Sequence, residues 1–121
     1  MEINGLINCI KVLADPTRMK LLDLIKHGTQ CNCEFSDALE LPPNLISHHL
    51  RILRKCGLVE TEKDPLDARW VYYNINKKTF IELREFLYEF LDPAEIQPRA
   101  LSCGPSSSLL AMAEKFSNIK K

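Results

Sequence analysis

The sequence predicts a mainly α-helical fold with one small β-hairpin. Apolar residues recur every three or four positions over most of residues 3–55, which is the period of helices that bury one face. The pattern then changes to two β-rich stretches around a turn, and helical spacing returns from residue 77. With 121 residues and 45% hydrophobic content, the chain has the size and composition of one globular domain.

The composition also limits the compartment and the classes of partner. No apolar run approaches the roughly 20 residues that a membrane helix needs, and residues 1–5 lack the basic and apolar regions of a signal peptide. We therefore expect a cytoplasmic protein with no membrane contact, whose five cysteines are reduced thiols. The net charge of zero is mildly unfavourable for a nucleic-acid binder, although only the contact face has to be basic.

Two helices are predicted at the start of the chain. The first covers residues 3–13, and the second begins after Asp15 and ends at His27-Gly28. Asp15 is a good N-cap, Pro16 fits a first turn that needs no amide donor, and Gly28 suits a helix end. The apolar residues at helical spacing in the first helix are Ile3, Leu6, Ile7, Ile10 and Leu13.

A short third helix and a longer fourth helix follow, separated by a tight turn. The third helix is predicted to start after Asn32, as its N-cap, and to end at about Glu40. Leu41-Pro42-Pro43 forms the turn, and the fourth helix covers residues 43–55. The side chains that we expect the third helix to bury are Phe35, Ala38 and Leu39.

The second half of the chain contains the hairpin, one more helix and an irregular tail. Residues 58–63 and 69–75 are β-rich and flank a turn, and a helix is predicted over 77–91. Residues 92–108 are rich in proline and serine, and a short amphipathic helix is expected around 108–118. The order helix, helix, helix-turn-helix, hairpin, helix is the plan of a winged helix-turn-helix domain.

The fourth helix has the two faces that a DNA-reading helix requires. Ile46, Leu50 and Leu53 form its buried stripe. The opposite face carries hydrogen-bonding side chains that suit base edges in a major groove, namely Asn44, Ser47, His48 and Arg51. Phosphate contacts are expected from four cations, Arg54 and Lys55 on the helix and Lys63 and Arg69 on the hairpin.

A solvated helix face is the ordinary interpretation of any one of these residues taken alone. What favours DNA binding is that a short helix, a Pro-Pro turn, a polar-faced helix and a basic hairpin occur together in the required order.

The chain also resembles the arsenical-resistance repressor (ArsR/SmtB) family of winged-helix metalloregulators over about residues 3–91. The resemblance implies a dimer, built from the first and fifth helices, that represses its own operon until an inducer binds. Residues 1–91 would then form the DNA-binding and dimerisation domain, and residues 92–121 a C-terminal tail. The matching stretches are Ala14-Asp15-Pro16-Thr17-Arg18, Ser47-His48-His49-Leu50-Arg51-Ile52-Leu53, Cys56-Gly57-Leu58-Val59 and Arg69-Trp70-Val71-Tyr72-Tyr73.

The dimer has a physical reason as well. A domain of this size leaves the broad apolar stripe of helix 77–91 without enough partner surface, and exposed apolar patches usually mark interfaces. Two-fold symmetry then requires double-stranded operator DNA with an inverted repeat.

Cys31-Asn32-Cys33 is the most informative short motif. Both thiols lie where the chain passes from an extended segment into a helix, so they can converge on one soft ion. With Asn32 as the cap, Cys33 falls in the first turn of the helix, where helix-end amides and the macrodipole favour thiolate over thiol. The competing interpretation is that both cysteines are small core residues. The motif also resembles the cysteine pair of family members that sense arsenite, antimonite, cadmium or lead.

The thiol pair needs further ligands, and soft donors exclude magnesium, calcium and manganese. Three thiolates suit As(III) or Sb(III), which are the first choice of inducer, and Cd(II) or Pb(II) come second. Ser36 stands where arsenite sensors of this family often have a third cysteine. Cys103 is therefore the leading third ligand and Cys9, reaching across from the other subunit, is next, while Cys56 is expected to fill the core. No organic cofactor is expected.

Other functions stay open from the sequence. A redox-sensing repressor would release DNA when Cys31 or Cys33 oxidises, with no metal inducer. A winged helix that binds only protein partners would show no salt-dependent affinity for duplex DNA. An enzyme is not expected, since nothing in the sequence supplies an oxyanion stabiliser or a phosphate-binding loop to assist a Cys31 nucleophile.

Overall fold

The computed structural model describes residues 1–99, 103 and 104. The chain divides into two compact units, Met1–Tyr88 and Glu89–Lys121. The elements are α1 (Ile3–Leu13), α2 (Pro16–Lys26), α3 (Asn32–Leu39), α4 (Pro43–Lys55), β1 (Val59–Lys63), β2 (Val71–Ile75) and α5 (Lys77–Phe90), with a 3-10 turn at Pro93–Glu95. This order confirms the predicted winged helix-turn-helix. The helix expected around 108–118 lies outside the described residues.

The start of α2 is fixed by the cap that the sequence predicts. The Asp15 carboxylate accepts hydrogen bonds from the amides of Thr17 and Arg18 at 2.9 and 3.1 Å. Pro16 occupies the first turn, where no amide donor is needed. Gly28, at φ 102°, follows the helix end, because glycine adopts this left-handed conformation without a Cβ penalty.

The core is one apolar cluster into which α4 inserts its buried face. Ile46, Leu50 and Leu53 are all 0% exposed, as their spacing predicts. Phe35 of α3 is equally buried and meets the Tyr73 ring of β2 edge-on, with centroids 6.1 Å apart. Burial of this single face of α4 leaves the opposite face of the helix in solvent.

Two of the cysteines belong to this core. Cys9 is 0% exposed, and its thiol donates a hydrogen bond to the carbonyl oxygen of Cys56 at 3.2 Å. Burial, helped by the neighbouring Cys56 thiol, raises the pKa of Cys9 to about 11. Cys56 is also buried, which confirms that it fills the core.

The beginning of α3 differs from the sequence prediction. Cys31, with extended backbone at φ −118° and ψ 154°, is the N-cap, and Asn32 is the first helical residue. The expected cap by Asn32 is therefore wrong. The physical reason is that its side-chain amide donates to the Ser47 hydroxyl on α4 at 2.7 Å, away from the backbone amides of its own helix.

The expected burial of Ala38 is also wrong, because this residue is exposed. α3 has only eight residues and ends at Glu40, whose backbone is left-handed at φ 53°. A helix this short packs on the core through Phe35 and Leu39, and Ala38 lies beyond the edge of that contact.

β1 and β2 form the antiparallel hairpin, with Val59 opposite Ile75 and Lys63 opposite Val71. Its turn is organised by the Asp64 carboxylate, which accepts bonds from the amides of Leu66 and Asp67 and from the Tyr72 hydroxyl at 2.6 Å. The strands are shorter than predicted, since residues 58, 69 and 70 lie outside them. In the described part of the chain, no helix is long and apolar enough to cross a membrane.

His49 ties α4 to the corner between α1 and α2. Its Nδ1 accepts a hydrogen bond from Arg18 Nη1 at 3.3 Å, and Arg18 Nε donates to the Val12 carbonyl oxygen at 2.6 Å. Burial lowers the pKa of His49 from its ordinary 6.5. Asp15 opposes this shift, while the positive charges of Arg18 and His48 add to it. A neutral imidazole can accept from Arg18, and a protonated one cannot.

We therefore expect acid to destabilise the fold through His49. Because its pKa is lower in the folded chain, the unfolded chain takes up the proton first, so its contribution is complete above about pH 6.5 and is lost as the pH falls below that value. The unfolding midpoint, measured by circular dichroism at pH 7.5 and 5.5, should fall more in the wild type than in His49→Asn, which keeps a neutral acceptor. An equal fall in both proteins would contradict this role.

Candidate DNA-reading face and dithiol site

The exposed face of α4 carries the residues that the sequence predicts for base contacts. Asn44, His48 and Arg51 are exposed, and Ser47 is half-buried. Arg54 and Lys55 are exposed in the last turn of the helix, where cations can meet phosphates. The structure thus places these side chains on one surface, opposite the buried stripe.

The two cations of the hairpin, Lys63 and Arg69, are both exposed, and Arg69 is paired with a neighbouring carboxylate. Arg69 makes a forked ion pair with Asp67, with Nη2–Oδ2 at 2.8 Å and Nε–Oδ1 at 3.0 Å. This pair lowers the pKa of Asp67 and raises that of Arg69. Only Lys63 remains as an exposed cation of the hairpin outside an ion pair in the described part of the chain.

The expectation of a basic hairpin is therefore wrong. Residues 59–75 carry four acidic side chains, Glu60, Glu62, Asp64 and Asp67, against the two basic ones. A phosphate that approaches Arg69 has to compete with the Asp67 carboxylate.

The thiols of Cys31 and Cys33 lie close together at the N-terminus of α3. Their Sγ atoms are 3.3 Å apart, and the Cys31 thiol donates a hydrogen bond to Glu34 Oε1 at 2.7 Å. Cys33 is exposed and Cys31 is half-buried. The pair is thus accessible from solvent and able to bind one ion between two sulfurs.

The surroundings of Cys31 favour its protonated thiol. Burial, followed by the hydrogen bonds to Glu34 and Cys33, raises the pKa of Cys31 to about 12. A hydrogen bond from the backbone amide of Glu34 lowers it, as the helix N-terminus should, but the carboxylate and the burial have the larger effect.

A cavity of about 630 Å³ separates the thiol pair from the hairpin. Cys31, Asn32 and Cys33 line one side, and residues 69–71 and Tyr73 line the other. The chain just before α3 is joined to β2, because the Tyr73 amide donates to the Gln30 carbonyl oxygen at 2.9 Å. The Gln30 side-chain amide also donates to Asn74 Oδ1 at 2.9 Å. The segment that carries the thiols is therefore part of the helix-turn-helix and is connected to the hairpin through Gln30.

Comparisons with known proteins identify the family. A profile described as "Bacterial regulatory protein, arsR family" matches residues 15–61. The chain is 41% identical over 66 residues to an uncharacterised HTH-type transcriptional regulator of Methanocaldococcus jannaschii, covering 54% of this chain and 71% of that protein. It is 33% identical over 74 residues to the arsenical resistance operon repressor of Staphylococcus aureus, covering 61% and 70%. The chain belongs to the ArsR family.

A solved structure agrees with this assignment. A possible transcriptional regulator for arsenical resistance superposes with a TM-score of 0.62 at 30% identity, covering 72% of this chain and 88% of the other. This ArsR-family chain is thus a DNA-binding transcriptional repressor, in which α3 and α4 form the helix-turn-helix and β1 and β2 form the wing.

Two further thiols, Cys9 and Cys103, are predicted as metal ligands. Cys9 is enclosed in the core, where its sulfur has no access to another subunit. Cys103 is exposed and belongs to the second unit, so its role as third ligand stays a prediction. Within residues 1–99, 103 and 104, no three His, Cys, Asp or Glu side chains are grouped to hold a metal ion.

Sequence reasoning missed two partners of this site, Glu34 and Ser47. The i, i+3 spacing of Cys31 and Glu34 in one helical turn was an available signal for the first. No local signal indicates the second, because Asn32 and Ser47 are 15 positions apart.

Release of Arg69 from Asp67 should strengthen DNA binding. We expect Asp67→Asn, which keeps a side-chain acceptor for the turn, to tighten operator binding at low salt by up to about fivefold, the scale of an exposed charge. The dependence of operator affinity on salt concentration should become steeper by the amount expected for about one more phosphate contact. Fluorescence anisotropy with operator DNA at two salt concentrations measures both quantities.

Glu60→Gln is the matched control, because it removes one negative charge of the exposed wing without freeing a cation. An equal gain from both variants would show a general charge effect and contradict a phosphate contact by Arg69.

Proposed function

We propose that this repressor acts as a homodimer on an inverted-repeat operator and releases it when a thiophilic inducer bridges Cys31 and Cys33. The observation that carries the proposal is the 3.3 Å distance between the two Sγ atoms at the N-terminus of the first helix of the helix-turn-helix. Arsenite or antimonite is the first choice of inducer, and cadmium or lead the second, because thiolates prefer soft ions.

Trivalent arsenic suits protonated thiols. Arsenous acid exchanges hydroxyl groups for sulfur, so that each new As–S bond replaces an As–O bond and the thiol proton leaves with the hydroxyl as water. The high pKa of Cys31 is therefore no barrier to this reaction. Two thiols hold the ion with one hydroxyl retained, and Cys103 is the predicted donor for a third As–S bond.

The position of the thiols supports a direct effect on DNA binding. Cys31 caps α3, and its carbonyl oxygen accepts from the amides of Glu34 and Phe35 in the first helical turn. Bridging removes the thiol proton that Cys31 donates to Glu34, so this turn has to rearrange. Coupling of about 1–3 kcal/mol is typical between such sites, and a working switch needs at least the upper end of that range.

Apolar side chains left in solvent support the dimer. Ile3 and Ile7 on α1 are 62% and 40% exposed, and Ile81 on α5 is 47% exposed. Tyr88, also on α5, is 81% exposed. A second copy of the chain would cover these two helices, as expected for a two-fold interface.

Oxidation of the same pair to a disulfide is the second candidate, favoured by the same short Sγ–Sγ distance. A peroxide would accept two electrons and two protons from the thiols and leave as water. The raised pKa of Cys31 disfavours this reaction, because the thiolate is the reactive form.

The first test is operator release under reducing conditions. Arsenite should weaken binding to the DNA upstream of the repressor's own gene by at least about a hundredfold, the upper end of typical coupling. Cys31→Ser and Cys33→Ser should bind this DNA normally and lose the response, as measured by fluorescence anisotropy during arsenite, cadmium and zinc titrations.

Cys103→Ser tests the predicted third ligand, because it removes an exposed thiol outside the pair and should weaken the arsenite response without abolishing it. Failure of the Cys31 and Cys33 variants to bind DNA would show that these cysteines are structural. Release of the wild type by peroxide and by none of the ions would favour the redox candidate.

The pH dependence should separate the two classes of inducer. Cadmium has to displace the Cys31 proton into solution, so its affinity should fall about tenfold per pH unit for each proton displaced as the pH is lowered from 8 to 6. Arsenite releases water instead, so its affinity should stay nearly constant. Competition titrations at three pH values measure this difference, and parallel pH profiles would contradict the proposed chemistry.

A further inference from the structure

We infer that Asn32 is a positioning residue. It couples the dithiol site, Cys31 and Cys33, to α4 through its hydrogen bond to Ser47. This role rests on the proposed function, because it needs an inducer at Cys31 and Cys33. Asn32 Nδ2 donates to Ser47 Oγ at 2.7 Å. It is the one side-chain hydrogen bond that joins α3 to α4 among the described residues.

The place of Asn32 in the chain ties its motion to the inducer. Asn32 lies between Cys31 and Cys33 in the sequence and is the first residue of α3. When an ion bridges the two sulfurs, the Cys31 thiol loses the proton that it donates to Glu34, so the backbone around Asn32 readjusts although the sulfurs are already close. Asn32 has to move with it.

Ser47 is the residue through which this motion reaches DNA. It lies on the polar face of α4, next to the exposed His48 and one helical turn before the exposed Arg51. A serine hydroxyl has two acceptor sites and a single hydrogen. Because Asn32 occupies an acceptor site, it orients the hydroxyl and leaves the hydrogen available to an acceptor on a base edge or a phosphate. Loss of the Asn32 bond frees the hydroxyl to rotate.

The oxygen of the Asn32 side-chain amide favours breaking of the hydrogen bond to Ser47. Asn32 Oδ1 is buried and accepts no hydrogen bond from the described part of the chain. A buried acceptor without a donor is costly, and movement of the side chain towards water would relieve that cost. Without inducer, the Asn32 side chain therefore makes one short hydrogen bond and leaves one oxygen unsatisfied. Such a side chain suits a switch with two alternative conformations.

The test is the coupling ratio, defined as the operator Kd with saturating arsenite divided by the operator Kd without it. In Asn32→Ala the Kd without arsenite should rise and the Kd with arsenite should stay the same. The ratio should then fall about fivefold, the scale of one hydrogen bond per protomer. Ser47→Ala should lower the ratio as well, the double variant should lower it no further, and Ser47→Thr should retain it.

Gln30→Ala is the matched control. It removes an amide hydrogen bond of similar length on the other side of Cys31, one that leads to Asn74 on the hairpin and not to α4. Its ratio should equal that of the wild type. A purely structural Asn32 would raise both Kd values of the alanine variant by the same factor and leave the ratio unchanged. That result, or an equal loss in Gln30→Ala, would overturn the inference.

Titration of the free proteins with a thiol reagent, with and without arsenite, separates this failure from failure of the proposed function. If arsenite neither protects thiols in the wild type nor releases its operator, the proposed function fails and the inference with it. If arsenite protects the thiols of the wild type and of Asn32→Ala equally, and the two proteins have the same coupling ratio, only the inference fails.

Discussion

The burial of one face of α4 is the constraint on which the rest of the structure depends. Ile46, Leu50 and Leu53 are completely enclosed, so the helix can neither rotate about its axis nor slide without exposing apolar area. This fixed orientation presents Asn44, Ser47, His48 and Arg51 to solvent as one surface. The Arg18–His49 contact adds a polar restraint at the corner between α1 and α2.

The N-terminus of α3 connects α4 to the wing. Hydrogen bonds join it to the wing, from Tyr73 to Gln30, and to α4, from Asn32 to Ser47. It also carries one half-buried thiol, Cys31, and one exposed thiol, Cys33. The cavity beside the thiols is lined by α3 of the helix-turn-helix and by the hairpin, so a ligand could enter it without entering the core. The buried thiols Cys9 and Cys56 have no such access, which separates cysteines that serve packing from those proposed to bind an inducer.

The features that local rules determine were predictable from the sequence. The Asp15-Pro16 cap, the bounds of α4 and its buried stripe follow from caps and helical periodicity. Tertiary contacts account for the errors. Asn32 does not cap α3 because a hydroxyl 15 positions away binds its amide, and Arg69 is paired because the turn brings Asp67 to it. The raised pKa of Cys31, which the sequence did not predict, depends on burial and on Glu34.

Linkage gives the most direct test of the central claim, that the dithiol site and the DNA-reading face are energetically coupled. The measurement is the arsenite affinity of the free repressor and of the repressor saturated with operator DNA. Operator DNA should weaken arsenite binding by the same factor by which arsenite weakens operator binding. Equal arsenite affinities in the two states would contradict it, because a ligand that binds both states equally cannot release the DNA.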